Sequence, residues 1–218
     1  MARASSLLAR LISPGDEQLM WRVKLQDDHH AFADLMLRWQ KPIQDLCIRM
    51  TGDVHRAEDL AQTAFTRVFA RRAEWEPTAK FSTFLWRVAL NLCHDELRSR
   101  TRRGECSLQG MTEEDSSESS FVALDQPGPD ALADQSERAD LVREALLKLA
   151  THYREVVVLR HYEQLKFHEI ADVLDIPEGT VKSRMAEALN QLTKLLQHLN
   201  DKSSCTPKIQ PKELLALL

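Results

Sequence analysis

KFHEIADVLDIPEGTVKSR, residues Lys166–Arg184, contains two helical patterns separated by Asp175-Ile176-Pro177. This spacing predicts a helix-turn-helix. The turn requires one residue at positive φ, which Asp175 can supply, although less comfortably than glycine. Five apolar side chains are expected to form the shared core of the two helices: Ile170, Leu174, Ile176, Val181 and Met185.

The second helix of this motif presents polar side chains in its first turns. They are Thr180, Lys182, Ser183 and Arg184. In a helix-turn-helix that end of the helix enters the major groove, where such groups donate to bases and phosphates. Helical pairs with this pattern also occur in proteins that bind no DNA, so the motif alone leaves both interpretations open.

Helical periodicity extends through most of the remaining chain. The one β-branched cluster, Val156–Val158, lies inside a longer helical pattern, so the sequence predicts an all-α fold. Four helices with short connections, at about 16–25, 30–50, 54–72 and 82–100, are expected to form a compact bundle. Gly52 is expected to end the second helix and Asp53 to cap the third, and Pro42 predicts a kink.

Residues 104–136 differ sharply in composition from the sequence on either side. They contain many Asp and Glu residues but no Lys or Arg, and Ser, Pro and Gly interrupt any periodicity. We therefore expect an acidic flexible linker between two small helical domains, 15–103 and 137–200, with tails at 1–14 and 201–218.

The segment Lys80–Arg103 is basic within an acidic protein whose formal net charge is −4. Its aromatic residues Phe81, Phe84 and Trp86 alternate with charges; such rings can stack on unpaired bases while arginines contact phosphates. The alternative is a helix with core aromatics and a solvated basic end, and for Phe84 the core is favoured. Four arginines crowd positive charge together without acidic partners, which favours contact with a polyanion: Arg98, Arg100, Arg102 and Arg103.

Several functional classes receive no support from the sequence. No run of about 18 apolar residues occurs, as a membrane-spanning helix would need. Cys47, Cys93, Cys106 and Cys205 have no metal-type spacing, so we expect reduced thiols, a cytoplasmic location and no metal. We find no nucleophile–base set and no phosphate loop, so neither an enzyme nor a cofactor is expected.

Three motifs, taken in order, resemble the sigma-70 family, specifically its extracytoplasmic-function group. They are HRAEDLAQTAF at His55–Phe65, FLWRVALN at Phe84–Asn91 and IPEGTVKSR at Ile176–Arg184. The resemblance covers about Gly15–Arg103 and Arg138–Gln197. It implies a sigma factor that directs RNA polymerase to chosen promoters and is not itself an enzyme.

The resemblance also implies roles for individual residues. The helix around Asp59 and Gln62 would dock on a coiled coil of core RNA polymerase, with Glu58 and Phe65 beside them, since an exposed carboxylate and amide can pair with arginines. An anti-sigma factor is the expected regulatory partner. Glu58 and Asp59 can also simply favour the dipole of a helix start.

Promoter DNA would be contacted at two elements. The −35 element would contact the helix-turn-helix, and the −10 element would be read and opened by the Glu76–Ser82 loop and the following helix, which holds Asn91. Its candidate contacts are Lys80, Phe81, Trp86, Arg87, Asn91 and the four arginines of 98–103. The linker, extended at about 3.3 Å per residue, would reach about 100 Å, more than the about 70 Å that separates elements two helical turns apart.

Two departures from the family pattern bear on binding strength. Thr63 stands where an acidic residue often follows the glutamine, which predicts a weaker contact with polymerase. Met185–Leu189 contains no basic residue where several are common, which predicts weak −35 binding or greater dependence on polymerase. A stand-alone helix-turn-helix regulator and a non-DNA helical adaptor are the competing interpretations.

We expect the isolated chain to bind duplex promoter DNA poorly, because its net charge is negative and its acidic linker repels phosphate. Core RNA polymerase should rescue binding, as measured by a mobility-shift assay with and without polymerase. Tight, salt-sensitive operator binding by the chain alone would favour the stand-alone regulator.

Overall fold

The computed structural model describes residues 14–76, 80–104 and 129–202. Nearly all of the two predicted tails and most of the predicted linker lie outside these ranges. The described ranges are helical and contain no strand, which confirms the all-α prediction. Their α-helices are α1 Asp16–Gln26, α2 His29–Thr51, α3 Val54–Ala70, α4 Phe81–Arg103, α5 Pro129–Lys148, α6 Thr151–Val157, α7 Phe167–Leu174 and α8 Glu178–Lys202.

Within the N-terminal bundle, α1–α4, local capping fixes where α2 begins and ends and where α3 begins. The Asp28 carboxylate accepts hydrogen bonds from the backbone N–H groups of His30 and Ala31, which opens α2. Gly52 ends α2 with φ at 75°, and Asp53 accepts from the N–H of Arg56 to open α3. The predicted stop and start at Gly52 and Asp53 are thus confirmed, while α2 continues as a helix through Pro42.

Aromatic rings fill the core where α2 crosses α4. The Trp39 ring makes edge contacts with Phe81 at 6.4 Å and with Trp86 at 5.6 Å between ring centroids. Phe81 is fully buried and Trp86 is 2% exposed. The expectation that these two rings stack on bases is therefore corrected: they pack in the bundle core, and neither offers a free face.

The C-terminal domain, α5–α8, contains the predicted helix-turn-helix in α7 and α8. Asp175 has φ at 55°, as the sequence predicted for the turn. Ile170, Val181 and Met185 are buried, and Leu174 and Ile176 pack against them as half-buried residues. Between α6 and α7 the chain forms a π-helical turn at Val158–Tyr162.

The acidic linker is shorter than the sequence suggested. Residues 129–136, expected to belong to the linker, form the start of α5. Pro129 is the first residue of that helix, a position where proline is favoured because its missing N–H would have no helical partner anyway. The proline that looked like a helix breaker therefore begins a helix.

The two domains pack against each other at the end of α2. The guanidinium of Arg154, only 6% exposed, donates to the carbonyl oxygen of Met50 in α2 and to three carbonyls at the end of α5. The side chain of Leu147 lies over Gly52 so closely that a Cβ there would be 2.8 Å from Leu147 Cδ1. Helix carbonyl ends carry partial negative charge, so a buried cation is well placed there.

A second contact at the junction involves Glu163, whose side chain is 10% exposed. Its carboxylate lies 3.6 Å from the Arg49 guanidinium, which also stacks on the Tyr162 ring at 4.2 Å. Burial, opposed by Arg49 and assisted by Asp45, raises the pKa of Glu163 to about 7. In the unfolded chain the pKa of Glu163 would be near 4.5. Between pH 4.5 and about 7 the folded state therefore keeps a proton that the unfolded state has lost.

We predict that Glu163→Gln flattens the pH dependence of stability. As pH rises from 4.5 to about 7, ionisation of Glu163 lowers the free energy of unfolding of the wild type, whereas Gln stays neutral. The variant should therefore gain stability relative to the wild type across this window and keep the gain above it. Urea unfolding at several pH values measures this difference.

The exposed Glu74 provides the matched control, since Glu74→Gln removes the same charge at a solvated site. Parallel pH profiles for Glu163→Gln and the wild type would contradict the prediction.

Candidate polymerase and nucleic-acid interfaces

A groove of about 540 Å³ lies between α2 and α3. Phe32, Met36 and Phe65 form its apolar floor, and Gln44, Glu58 and Gln62 contribute polar groups. The Phe32 ring meets the Phe65 ring edge-on, with 6.4 Å between the ring centroids. An apolar floor with polar groups beside it suits an amphipathic helix of a partner.

The sequence-predicted polymerase residues differ in how they relate to this groove. Glu58, Gln62 and Phe65 line it, whereas Asp59 does not. The Asp59 carboxylate is 67% exposed and lies 3.6 Å from Arg56. The exposed Asp59 carboxylate therefore lies on α3, the helix that also forms one wall of the groove. We call the groove and Asp59 together the α3 face.

Acidic neighbours partly neutralise the basic end of α4, which corrects the expectation that its arginines have no acidic partners. Glu96, 8% exposed, pairs with Arg56 at 2.8 Å, Arg100 at 3.2 Å and Arg103 at 3.5 Å. Arg100 also pairs with Asp53 at 2.7 Å. Arg98 lies 4.0 Å from Asp95, the loosest of these pairs.

Two consequences follow for the arginines of α4. Hydrogen bonds from Arg56 and then Arg100 hold the pKa of Glu96 below its ordinary value, although burial acts against this. Glu96 thus stays ionised and Arg100, 13% exposed, joins α3 to α4 rather than facing solvent. Arg98, at 76% side-chain exposure, and Arg102 remain on the surface.

The N-terminal half of α4 faces the C-terminal domain. Lys80 Nζ lies 2.6 Å from Glu169 Oε1 in α7. The Arg87 guanidinium donates to the carbonyl oxygens of Asp172 and Val173, at the end of the same helix. Asn91 is exposed but lines a cleft of about 330 Å³ that Asp175, the turn residue, also lines.

The recognition side chains of α8 also divide into two groups. Lys182 and Ser183 are exposed; Lys182 pairs with Glu178 at 2.7 Å, and Ser183 Oγ donates to the Thr180 carbonyl. Arg184 instead lies 3.3 Å from Glu155, whose side chain is 5% exposed.

His94 Nε2 from α4 contacts the other oxygen of Glu155 at 2.8 Å. Glu155 therefore joins the two predicted DNA-binding surfaces. Sequence reasoning missed Glu155 and Arg154, although two adjacent charges ahead of the apolar run Val156–Leu159 were a usable signal of buried, paired groups.

Comparison with known proteins gives the class. The model of sigma-70 region 2 matches residues 35–103, and that of sigma-70 region 4 matches residues 139–192. The ECF RNA polymerase sigma factor SigW of Bacillus subtilis is 35% identical over 172 residues, 79% of this chain and 92% of the relative. The RNA polymerase sigma-H factor of Pseudomonas aeruginosa is 32% identical over 186 residues, 84% of this chain and 95% of the relative.

Solved structures share the fold. CnrH, in complex with the cytosolic domain of CnrY, matches with a TM-score of 0.61 and 22% identity, covering 87% of this chain and 99% of CnrH. The sigma factor RpoE of Bartonella quintana, in complex with the anti-sigma factor NepR, matches with a TM-score of 0.57 and 24% identity, covering 76% of this chain and 96% of RpoE.

The chain thus belongs to the sigma-70 family of RNA polymerase sigma factors. Within that family it is a member of the extracytoplasmic-function group. Members of the family are transcription initiation factors that bind core RNA polymerase and promoter DNA. In the ranges that the structure describes, no helix combines the length and apolarity that crossing a membrane requires.

We predict that Arg100→Met destabilises the fold by about 2 kcal/mol, because it leaves Asp53 without its guanidinium partner and weakens the Glu96 cluster. Arg102→Met, at an exposed site on the same helix, should leave stability within about 0.5 kcal/mol of wild type. Thermal unfolding measures both values. Equal stability of the two variants would contradict the structural role of Arg100.

Proposed function

We propose that this chain docks on core RNA polymerase through the α3 face, reads and opens the −10 element with α4, and anchors on the −35 element with α8. The supporting observation is that three surfaces lie on two domains: a groove between α2 and α3 that fits a partner helix, and cation-bearing faces on α4 and α8. A stand-alone regulator has no use for the groove.

The proposed −10 surface is smaller than the sequence suggested. Lys80, Arg87, Asn91, Arg98 and Arg102 remain as candidates, with Asn91 the group that would bind an unstacked base. Removing one base from the stack costs a few kcal/mol, which pocket contacts and phosphate pairing can offset. For the −35 element the candidates are Thr180, Lys182, Ser183 and Arg184.

The corrected linker still allows both contacts. A fully extended chain of the length of residues 105–128, at about 3.3 Å per residue, would reach roughly 80 Å. That exceeds the about 70 Å between elements two helical turns apart. Two domains can therefore contact one promoter at the same time.

Regulation by an anti-sigma factor is part of the proposal. The CnrH structure contains the cytosolic domain of CnrY, and the RpoE structure contains the anti-sigma factor NepR. These folds match the present chain over three quarters of its length or more. A protein partner that covers the DNA-contacting surfaces is the kind of inhibitor this supports.

We predict that Asp59→Ala and Asn91→Ala fail at different steps of run-off transcription with purified core polymerase and a promoter library. Asp59→Ala should lower the affinity for core polymerase, by roughly tenfold if a charge-assisted hydrogen bond is lost. Asn91→Ala should bind polymerase normally but form fewer open complexes, measured by permanganate reactivity of unpaired thymines.

The controls are Asp34→Ala and Asn190→Ala, which remove the same groups from exposed positions on α2 and α8. Both should transcribe at the wild-type rate. Failure of the wild-type chain to bind core polymerase would overturn the proposed function.

A further inference from the structure

Two thiols meet in the core of the N-terminal bundle. Cys47 of α2 and Cys93 of α4 are free cysteines, and both are completely buried. Cys93 Sγ donates to Cys47 Sγ across 3.6 Å. The sulfurs of a disulfide lie about 2.05 Å apart, a distance that small rotations of both side chains can reach from here. The fold therefore forms a dithiol from two residues that are 46 positions apart in the chain.

A metal centre is the other use that proteins make of paired thiols. A structural zinc ion takes four ligands, drawn from cysteine, histidine and carboxylate side chains. In the part of the chain that the structure describes, no His, Cys, Asp or Glu joins this pair to make a group of three. The two sulfurs are therefore better placed to bond with each other than to hold a zinc ion.

The dithiol joins two helices that carry predicted binding surfaces, but it belongs to neither surface. Helix α2 forms one wall of the groove, and α4 carries Asn91. Neither Cys47 nor Cys93 lines the groove or the cleft beside Asn91. A bond between the two sulfurs would therefore join α2 to α4 and leave the groups that face partners unchanged.

We propose that Cys47 and Cys93 form an oxidisable dithiol site, which peroxides convert into a disulfide that cross-links α2 to α4. With hydrogen peroxide, one thiolate attacks an oxygen, the O–O bond breaks, and a sulfenic acid and a first water form. The second sulfur then attacks the sulfenic sulfur, the S–O bond breaks, and the S–S bond forms with release of a second water. Two thiols and one peroxide thus give one disulfide and two waters, and two electrons pass from sulfur to oxygen.

Burial makes the reduced pair slow to react. The hydrogen bond with Cys47 and, after it, burial raise the pKa of Cys93 well above its ordinary value. Peroxides react with the thiolate rather than the thiol. We therefore expect oxidation to proceed through states in which α2 and α4 separate locally, with the disulfide forming as they close again. Such a site responds to sustained oxidant and not to brief exposure.

The disulfide should make the N-terminal bundle harder to unfold. It closes a loop between residues 46 positions apart, which lowers the conformational entropy of the unfolded chain. For a loop of this length the unfolding equilibrium constant should fall by roughly 100- to 1,000-fold. The cross-link therefore gives a readout, in stability, that is separate from its chemical detection.

The test uses the full chain with Cys106→Ser and Cys205→Ser, so that the two buried thiols are the only ones left. The chain is incubated with hydrogen peroxide, its remaining thiols are alkylated, and it is digested with trypsin. Mass spectrometry should find the peptides Trp39–Arg49 and Val88–Arg98 cross-linked, and dithiothreitol should separate them. Urea unfolding of the oxidised monomer should show the stated fall, and dithiothreitol should reverse it.

Cys47→Ala in the same background is the matched control, because it keeps Cys93 in the core without a partner. Peroxide should give this variant neither the cross-linked peptide nor added stability, while oxidation of methionines proceeds in both chains. Cys93→Ala is the reciprocal control, and it replaces Cys47→Ala if circular dichroism shows that the first variant folds poorly.

Three outcomes would each overturn the inference. The pair stays fully reduced in peroxide even at a urea concentration below the unfolding transition, where local opening is more frequent; the thiols end as sulfinic acids; or the cross-link forms and stability does not change. None of these measurements uses polymerase or DNA. Failure of this inference therefore leaves the proposed function intact.

Discussion

One buried guanidinium determines how the two halves of this protein meet. Arg154 lies almost completely inside the molecule and donates to carbonyls at the ends of α2 and α5. A buried cation is tolerated only when its donors are satisfied, so these helix ends must come together around it. The rest of the domain junction, from Leu147 over Gly52 to the Arg49–Glu163 pair, surrounds this point.

The domain junction leaves one predicted binding surface accessible and covers part of another. The α3 face is built within the N-terminal bundle and remains accessible, while the first half of α4 is covered by α7. The groove of the α3 face is therefore exposed in the same arrangement in which Lys80 and Arg87 are paired with α7. The physical basis is geometric, because α2 contributes one side to the groove and the other to the contact with α5.

The motifs could be predicted from the sequence, whereas the burial of individual side chains could be predicted only in part. Asp175 at positive φ and the Gly52–Asp53 junction followed from local backbone rules. The burial of Phe81 and Trp86 could not be predicted in this way. Periodicity places a ring on one face of a helix but does not show which face the neighbouring helices cover. Arg100 was misjudged because one partner, Asp53, is 47 positions away in the chain, and because the local neighbour Glu96 was not recognised as a buried acceptor.

Sequence alone determined the all-α class, the helix-turn-helix and the residue types on each surface, because these depend on contacts between residues a few positions apart. Tertiary structure decided which cations are paired with groups of the same chain. Lys80 meets Glu169, Arg87 meets the end of α7, and Arg184 shares Glu155 with His94. Most of these pairs join residues more than sixty positions apart, and such distances carry no local signal in the chain.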